Sequence, residues 1–483
     1  MKFLSRLHSG YLFLFSFLTV FVATPLFQKG VFGDGLMYLT VAFNRYKGYG
    51  SFWKQHYSNT SMPFFCEQPP LYFEFLNVFY KLFGGAEVAE KFFTLFLLCA
   101  TLIFSVLIWN KITLNKRRSI SWFPVLLMFC VPVFTWGFCN QVIETMVVPI
   151  SLFVCYMQLL FIEQKSLNKQ LLAFCGMVGG IFILFLTKGV QSTFLIAGLF
   201  FATITFARKG WLKTSLSGII LVGAVAGLGG FVFLQSENAQ FWLRSYFDKR
   251  LVATFNDTGA TAKHHIDIIV RYFSELLPAI GIFVLISIWL VRSKKYSWSL
   301  QWRNFKKNTV AQWLLLVSLS ASLPLAVTLE QRGFYLSPSF PFAVLALCFF
   351  YDRYLFFASG KIFARRQKVF AGVTASLLLI GIVFFIVKKN GYKRDEVMIK
   401  DIDRIISQVK KGELIGINSS TWNTFSLHSY LNMKNDNSLA VTDTLEYFVQ
   451  ERSNHETIPA KYIKVELKTE DVDLYRRQKF LAR

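Results

Sequence analysis

The sequence predicts an all-α polytopic membrane protein, with about 11 transmembrane helices, followed by a small C-terminal α/β extracytoplasmic domain. Three observations lead there. Hydrophobic residues make up 54% of the 483 positions, Phe alone fills 54, and charged residues make up only 17%, against roughly 25% in a soluble domain. Eleven apolar runs approach the ~20 residues that a bilayer crossing needs. Lys and Arg are distributed unevenly between alternate connections. This composition excludes a disordered chain, a fibrous repeat and an ordinary cytosolic enzyme.

The runs fall at 11–27, 91–110, 121–138, 144–162, 171–187, 189–207, 215–234, 274–291, 309–328, 334–351 and 369–387. The first follows Lys2 and Arg6 and lacks a small-residue cleavage site, so it reads as an uncleaved helix. With the N-terminus in the cytoplasm, the inner connections hold 22 Lys and Arg against two acids, Glu163 and Asp352. The short outer connections hold only Lys188 and Arg332. This positive-inside pattern explains much of the +24 net charge without a nucleic-acid partner. It orients a multi-pass protein with its C-terminus outside; the expected location is the cytoplasmic (inner) membrane.

Residues 1–387 read as one transmembrane domain. Its large outer connections are 28–90, with amphipathic stretches Leu36–Tyr46 and Leu71–Leu82 suited to the interface plane, and 235–273. Residues 388–483 read as a soluble module, with 17 basic and 14 acidic residues. Its predicted order is a helix over Asp395–Lys411, a strand at Leu414–Ile417, a helix near Phe425–Leu431, and strands near Leu439–Val441, Tyr447–Gln450 and Tyr462–Leu467. The seven Cys lie mostly within apolar runs, with neither metal-ligand spacing nor a disulfide framework.

Ionisable residues at the outer ends of spans are the candidates for chemistry. Asp34 sits between Gly33 and Gly35, Glu67 precedes Pro69-Pro70, and Glu144 opens the fourth run. Lys188 occupies a very tight outer connection, Arg250 and the pair His264-His265 lie in the second large loop, and Arg332 precedes the tenth run. Each alone has a bland reading, as a turn residue, a helix-start acid or a snorkelling cation. Together they put carboxylates and cations on one face. That set fits an anionic, lipid-borne substrate, with cations on a phosphate and a carboxylate as base.

Five ordered motifs carry a family resemblance. They are Asp34-Gly35-Leu36-Met37-Tyr38, Glu67-Gln68-Pro69-Pro70-Leu71-Tyr72, Glu144-Thr145-Met146, Thr187-Lys188-Gly189-Val190 and Arg332-Gly333-Phe334-Tyr335-Leu336-Ser337-Pro338. A His at 264 or 265 ahead of Arg271-Tyr272-Phe273 fits the same order. The chain resembles GT-C superfamily glycosyltransferases of the protein-mannosyltransferase and lipid A aminoarabinose transferase kind. It departs from their pattern at Gly35, Gln68, Glu144 and Val190, where that family carries Glu, Lys, Asp and Pro.

The resemblance implies a GT-C-like fold and a hexosyl- or pentosyltransferase. Such an enzyme moves a sugar, with inversion, from a polyprenyl-phosphate donor to a lipid (lipid A), protein or glycan acceptor on the outer membrane face. Asp34 is the expected base, in a catalytic set with Glu67 and Glu144. Lys188, Arg250, Arg332 and Tyr335 are expected on the donor phosphate. A divalent metal ion at Glu67 and His264 is compatible with the family. The alternative reading is a transporter or flippase of a lipid-linked glycan, for which repeats and midplane charges are the expected marks; neither is visible.

Overall fold

The computed structural model describes residues 2–206, 210–252, 260–292, 308–454 and 456–478; the side chains of 2–8, 250, 251, 287, 289–292 and 352–368 are not described. Among the described residues nine helices are long and apolar enough to cross a membrane, or ten if the bent pair Arg118–Phe129 and Pro132–Asn140 is one span. The chain is a multi-pass membrane protein. The 79° bend in that pair falls just before Pro132, which lacks the N–H a continuing helix would use and suits the first helical position instead.

The difference from eleven runs lies in Leu167–Thr205, which is helical over 39 residues. At 1.5 Å per residue a straight helix of that length would be nearly twice as long as the bilayer core is thick. The chain instead reverses at Lys188-Gly189. The Ser192 hydroxyl donates to the Leu184 carbonyl at 2.6 Å, although eight residues of straight helix would separate the two by about 12 Å. Two arms therefore stand where runs five and six were expected, the second beginning as a 3-10 helix over Gly189–Ala197. A second difference is the inner connection at 352–368, which belongs to one continuous helix, Asp352–Lys388.

The chain divides into two compact units. The first comprises Met1–Leu26, Glu67–Pro69 and Thr94–Lys388, and holds most of the apolar helices. Its centre is the hairpin of Glu144–Glu163 and Leu167–Lys188, joined by three residues. The two helices pack closely because Gly180 faces Val154; a Cβ on Gly180 would stand 2.5 Å from a Val154 methyl. Polar ties then lock the neighbours on. Gln158 donates to the Leu195 carbonyl at 2.7 Å, the Trp313 indole to the Gly198 carbonyl at 2.8 Å, and Ser318 to the Ser339 carbonyl at 2.8 Å. In a medium without water each such bond satisfies a carbonyl in or next to an irregular 3-10 segment.

The second unit comprises Phe27–Cys66, Pro70–Phe93 and Lys389–Arg483. Most of the first large loop thus belongs with the C-terminal module rather than with the helices that precede and follow it in sequence. Both amphipathic stretches are helical, Gly33–Tyr46 and Leu71–Leu82. The intervening loop is tied to the module: Tyr57 shares a hydrogen bond of 2.8 Å with Ser429, Thr60 donates to the Leu439 carbonyl at 2.5 Å, and Lys47 pairs with Asp436.

The module is α/β, with helices Glu396–Ile406 and Phe425–Asn435. Its five strands are β1 Leu414–Ile417, β2 Ser438–Val441, β3 Tyr447–Glu451, β4 Tyr462–Lys464 and β5 Val472–Arg477, in the order β2-β1-β3-β5-β4. β1 runs parallel to β2 and β3, with Ile415 opposite Leu439 and Tyr447. β5 runs antiparallel to β3 and β4. Ile415, Leu439, Val449, Val472 and Leu474 are buried. Strand β5 was not expected from the sequence. Its segment, Val-Asp-Leu-Tyr-Arg-Arg, is half charged, and Asp473 enters the sheet only because Arg452 and Lys464 pair with it at 2.9 and 2.7 Å.

Candidate functional site

The first unit contains a cavity of about 350 Å³ whose lining includes Glu67, Gln68, Lys188, Gln191, Tyr246, Glu330 and Tyr335 among mostly apolar neighbours such as Val190, Phe194 and Leu325. Its charged floor follows from the hairpin. The two helices run antiparallel and are 20 and 22 residues long, so the first residue of one meets the last residue of the other. Those residues are Glu144 and Lys188. A carboxylate is favoured at a helix N-terminus and an ammonium at a C-terminus, so both dipoles support the charges placed there. Lys188 Nζ lies 2.7 Å from Glu144 Oε1, with the two side chains 4% and 1% exposed. The Tyr335 ring adds a cation-π contact, its centroid 4.5 Å from Nζ.

Gly189 makes the turn. Its φ is +74°, and a Cβ there would stand 1.9 Å from the Tyr246 hydroxyl. The residue is therefore required for its backbone and for the space it leaves. Tyr246 reaches the cavity from the helix Glu237–Tyr246, stacked on Trp242 with centroids 5.2 Å apart. Tyr335 comes from the 3-10 turn Gly333–Ser339 and donates from its hydroxyl to Glu330 Oε1 at 3.3 Å.

The sequence-nominated residues are distributed as follows. Glu67, Lys188 and Tyr335 line the same cavity, and Glu144 lies behind Lys188, lining a smaller recess with it and Tyr335. Glu67 is exposed at its place and Gln68 is buried. Arg332 is exposed and is not among the lining residues. The Arg of this region that contacts the Arg332-Gly333 segment is Arg271, whose guanidinium occupies the space a Cβ on Gly333 would fill. The Arg271-Tyr272-Phe273 and Arg332-Gly333-Phe334 motifs therefore meet in space. The side chain of Arg250 lies outside the described residues. Asp34 belongs to the second unit, as the second residue of the helix Gly33–Tyr46, where the helix N-terminus favours its negative charge.

His264 is exposed, and its backbone N–H donates to Asp267 at 3.0 Å. His265 Nδ1 contacts the Ala326 carbonyl at 3.0 Å. Among the described residues no three His, Cys, Asp or Glu side chains are grouped so as to hold a metal ion, so Glu67 and His264 form no such cluster.

Sequence reasoning did not select Gln191, Tyr246, Glu330 or Gln331 as site residues. Gln331 is buried and organises the rim. It accepts from the Ile268 N–H at 2.9 Å and donates to the carbonyls of His265 and Thr328 at 3.0 and 2.8 Å. A Gln between Glu330 and Arg332 carries no signal of its own; only the fold gives it partners. Chemically, the arrangement offers one buried ammonium against the Tyr335 ring, a second phenol from Tyr246, two carboxylates in the lining and an apolar wall. That suits an amphiphile with an anionic head.

Residues 67–232 match the family model described as dolichyl-phosphate-mannose-protein mannosyltransferase. No curated protein sequence matches significantly. Among solved structures, the chain is similar to ArnT from Cupriavidus metallidurans bound to undecaprenyl phosphate, at 12% identity and TM-score 0.66, covering 96% of this chain and 97% of that one. The apo ArnT structure matches at 12% identity and TM-score 0.58, covering 87% and 84%. The archaeal oligosaccharyltransferase AglB from Archaeoglobus fulgidus, in complex with an inhibitory peptide and a dolichol-phosphate, matches at 11% identity and TM-score 0.50, over 90% of this chain and 64% of that one. Over nearly its whole length the chain therefore shares its fold with the ArnT structures.

Proposed function

We propose that this protein transfers a sugar from a polyprenyl-phosphate carrier to a hydroxyl or phosphate acceptor at the outer face of the cytoplasmic membrane. The observation that carries this reading is the buried Lys188–Glu144 ion pair at the floor of a largely apolar cavity. Glu144 holds the ammonium in position while the cavity is empty. An arriving phosphodiester takes part of that charge, and Tyr335 holds Lys188 from its ring face. As the anomeric carbon–oxygen bond breaks, negative charge grows on the carrier phosphate. A fixed ammonium in a water-poor cavity stabilises that change without reorganisation. The acceptor oxygen attacks the anomeric carbon from the opposite side, with inversion, and gives up its proton to a carboxylate base; Asp34 is our candidate for that base on its sequence motif alone. The apolar wall fits the prenyl chain.

The solved ArnT structure with undecaprenyl phosphate and the mannosyltransferase family match support a lipid-linked donor. Lipid, protein and glycan acceptors all fit this chemistry. The test has two parts. Purified protein in lipid nanodiscs should bind undecaprenyl phosphate, and Lys188→Ala should weaken that binding. Mass spectrometry of envelope glycolipids and glycoproteins from a deletion strain should show one species lacking a sugar. Equal binding by the Ala variant removes Lys188 from the donor site. An unaltered envelope, with lipid-linked glycan translocated by reconstituted vesicles and no new glycosidic bond formed, replaces the transferase by a flippase.

A further inference from the structure

Lys29 follows the span Ser9–Phe27 by two residues, and Lys389 follows the span Val369–Lys388 directly. The ends of both spans are knitted together within the second unit. Lys29 and Tyr392 form a parallel bridge; the Lys29 N–H donates to the Gly391 carbonyl at 2.8 Å, and the Lys393 N–H to the Lys29 carbonyl at 2.9 Å. This gathers Lys29, Lys389, Lys393 and Arg394 where the chain leaves the apolar layer. Lys29 and Arg394 are exposed. Tyr392 lies beneath Lys29 and Lys400, 5.6 and 5.5 Å from their ammonium groups, and aromatic rings of this kind favour the membrane–water interface. The nearest acids in the C-terminal segment are committed: Asp395 faces Arg394 at 3.3 Å, and Glu396 faces Lys400 at 2.5 Å. Asp34 is in the first turn of the helix that follows Lys29, where the helix N-terminus favours its negative charge.

Such a cluster runs against the charge bias of the rest of the chain. The short connections on this side carry few Lys or Arg, as the positive-inside rule requires. A basic cluster retained there, at headgroup depth and beside two span ends, matches the charge of lipid phosphates. We propose that Lys29, Lys389 and Lys393 form a collar that holds the phosphate headgroups of anionic phospholipids in the leaflet where the two spans end. The collar is independent of the sugar-transfer reading.

The test uses the full chain in neutral detergent, titrated with phosphatidylglycerol or phosphatidylcholine and read by native mass spectrometry. The wild-type protein should retain phosphatidylglycerol about tenfold better, with the preference shrinking as salt rises. The triple variant K29Q/K389Q/K393Q should lose about threefold or more of that preference, while K29R/K389R/K393R keeps it. Should the Gln triple variant fail to fold, K29Q and K389Q singly report the same loss in smaller steps. Equal retention by the Gln and wild-type proteins overturns the collar. So does full displacement of the lipid by millimolar inorganic phosphate, which would mean a free-anion site.

Discussion

Removing one member of the Lys188–Glu144 pair should cost far more stability than removing both. At 2.7 Å and an effective dielectric of about 20, the Coulomb attraction is roughly 6 kcal/mol. The desolvation of two nearly inaccessible groups offsets most of that, so the pair itself contributes little net stability. A single substitution strands the other charge. Glu144→Gln leaves a buried ammonium, and Lys188→Met leaves a buried carboxylate. Each should destabilise by about 3–5 kcal/mol. The double variant E144Q/K188M removes both charges at similar volume and should recover most of the loss, giving a coupling of about 2 kcal/mol or more. Thermal unfolding in detergent, followed by intrinsic Trp fluorescence, reads all four proteins. Donor binding is measured on the same samples, and the double variant should be folded yet unable to bind undecaprenyl phosphate. Additive single effects, or singles within about 1 kcal/mol of wild type, would mean that the two groups are solvated and that the cavity floor is not as described. A stable double variant with normal donor binding would separate the pair from function.

Three further outcomes are expected. Gly189→Ala forces a Cβ into a left-handed turn and against the Tyr246 hydroxyl; it should lower stability by about 1–3 kcal/mol, and an unchanged melting temperature in detergent would contradict the turn. Asp34→Asn should reduce sugar transfer by about 10²–10⁴-fold with insertion and folding intact, measured by transfer in membranes against protein level; full activity would take the base role from Asp34. In the C-terminal module, burial works against the Asp473 carboxylate, but hydrogen bonds from Arg452, Lys464 and Thr469 prevail and hold it down at about 2, below its ordinary 3.8. The stability this contributes is present above about pH 4 and is lost as pH falls toward 2. Asp473→Asn should flatten that part of an acid-unfolding curve followed by circular dichroism; an identical curve would argue against the network.

Much of the fold is legible along the chain because bilayer crossing is a local property. A run such as 144–162 declares itself by composition. The strand Leu414–Ile417 and the helix near Phe425 could be read from their own patterns for the same reason. The Leu167–Thr205 stretch shows both sides. Its length demanded two arms, and Gly189 marked the turn, yet the close bond from Ser192 to Leu184 is a fact of three dimensions. Strand β5 escaped notice because its charges are acceptable only beside Arg452 and Lys464. Gln331 and Tyr246 escaped because neither has a neighbour in sequence that explains it.

By itself the sequence determined that this is a multi-pass membrane protein with a C-terminal α/β module, and it marked Glu67, Glu144, Lys188 and Tyr335 as worth watching, since charge and rigid turns next to apolar runs are costly enough to need a reason. Only the tertiary structure decided that Glu144 and Lys188 are partners, that Arg332 is outside the cavity lining, and that most of the first large loop folds with the module more than three hundred residues away. Pairing between distant segments depends on which helix ends reach the same depth and on how close glycines let them pack, and neither quantity is written in any local stretch of residues.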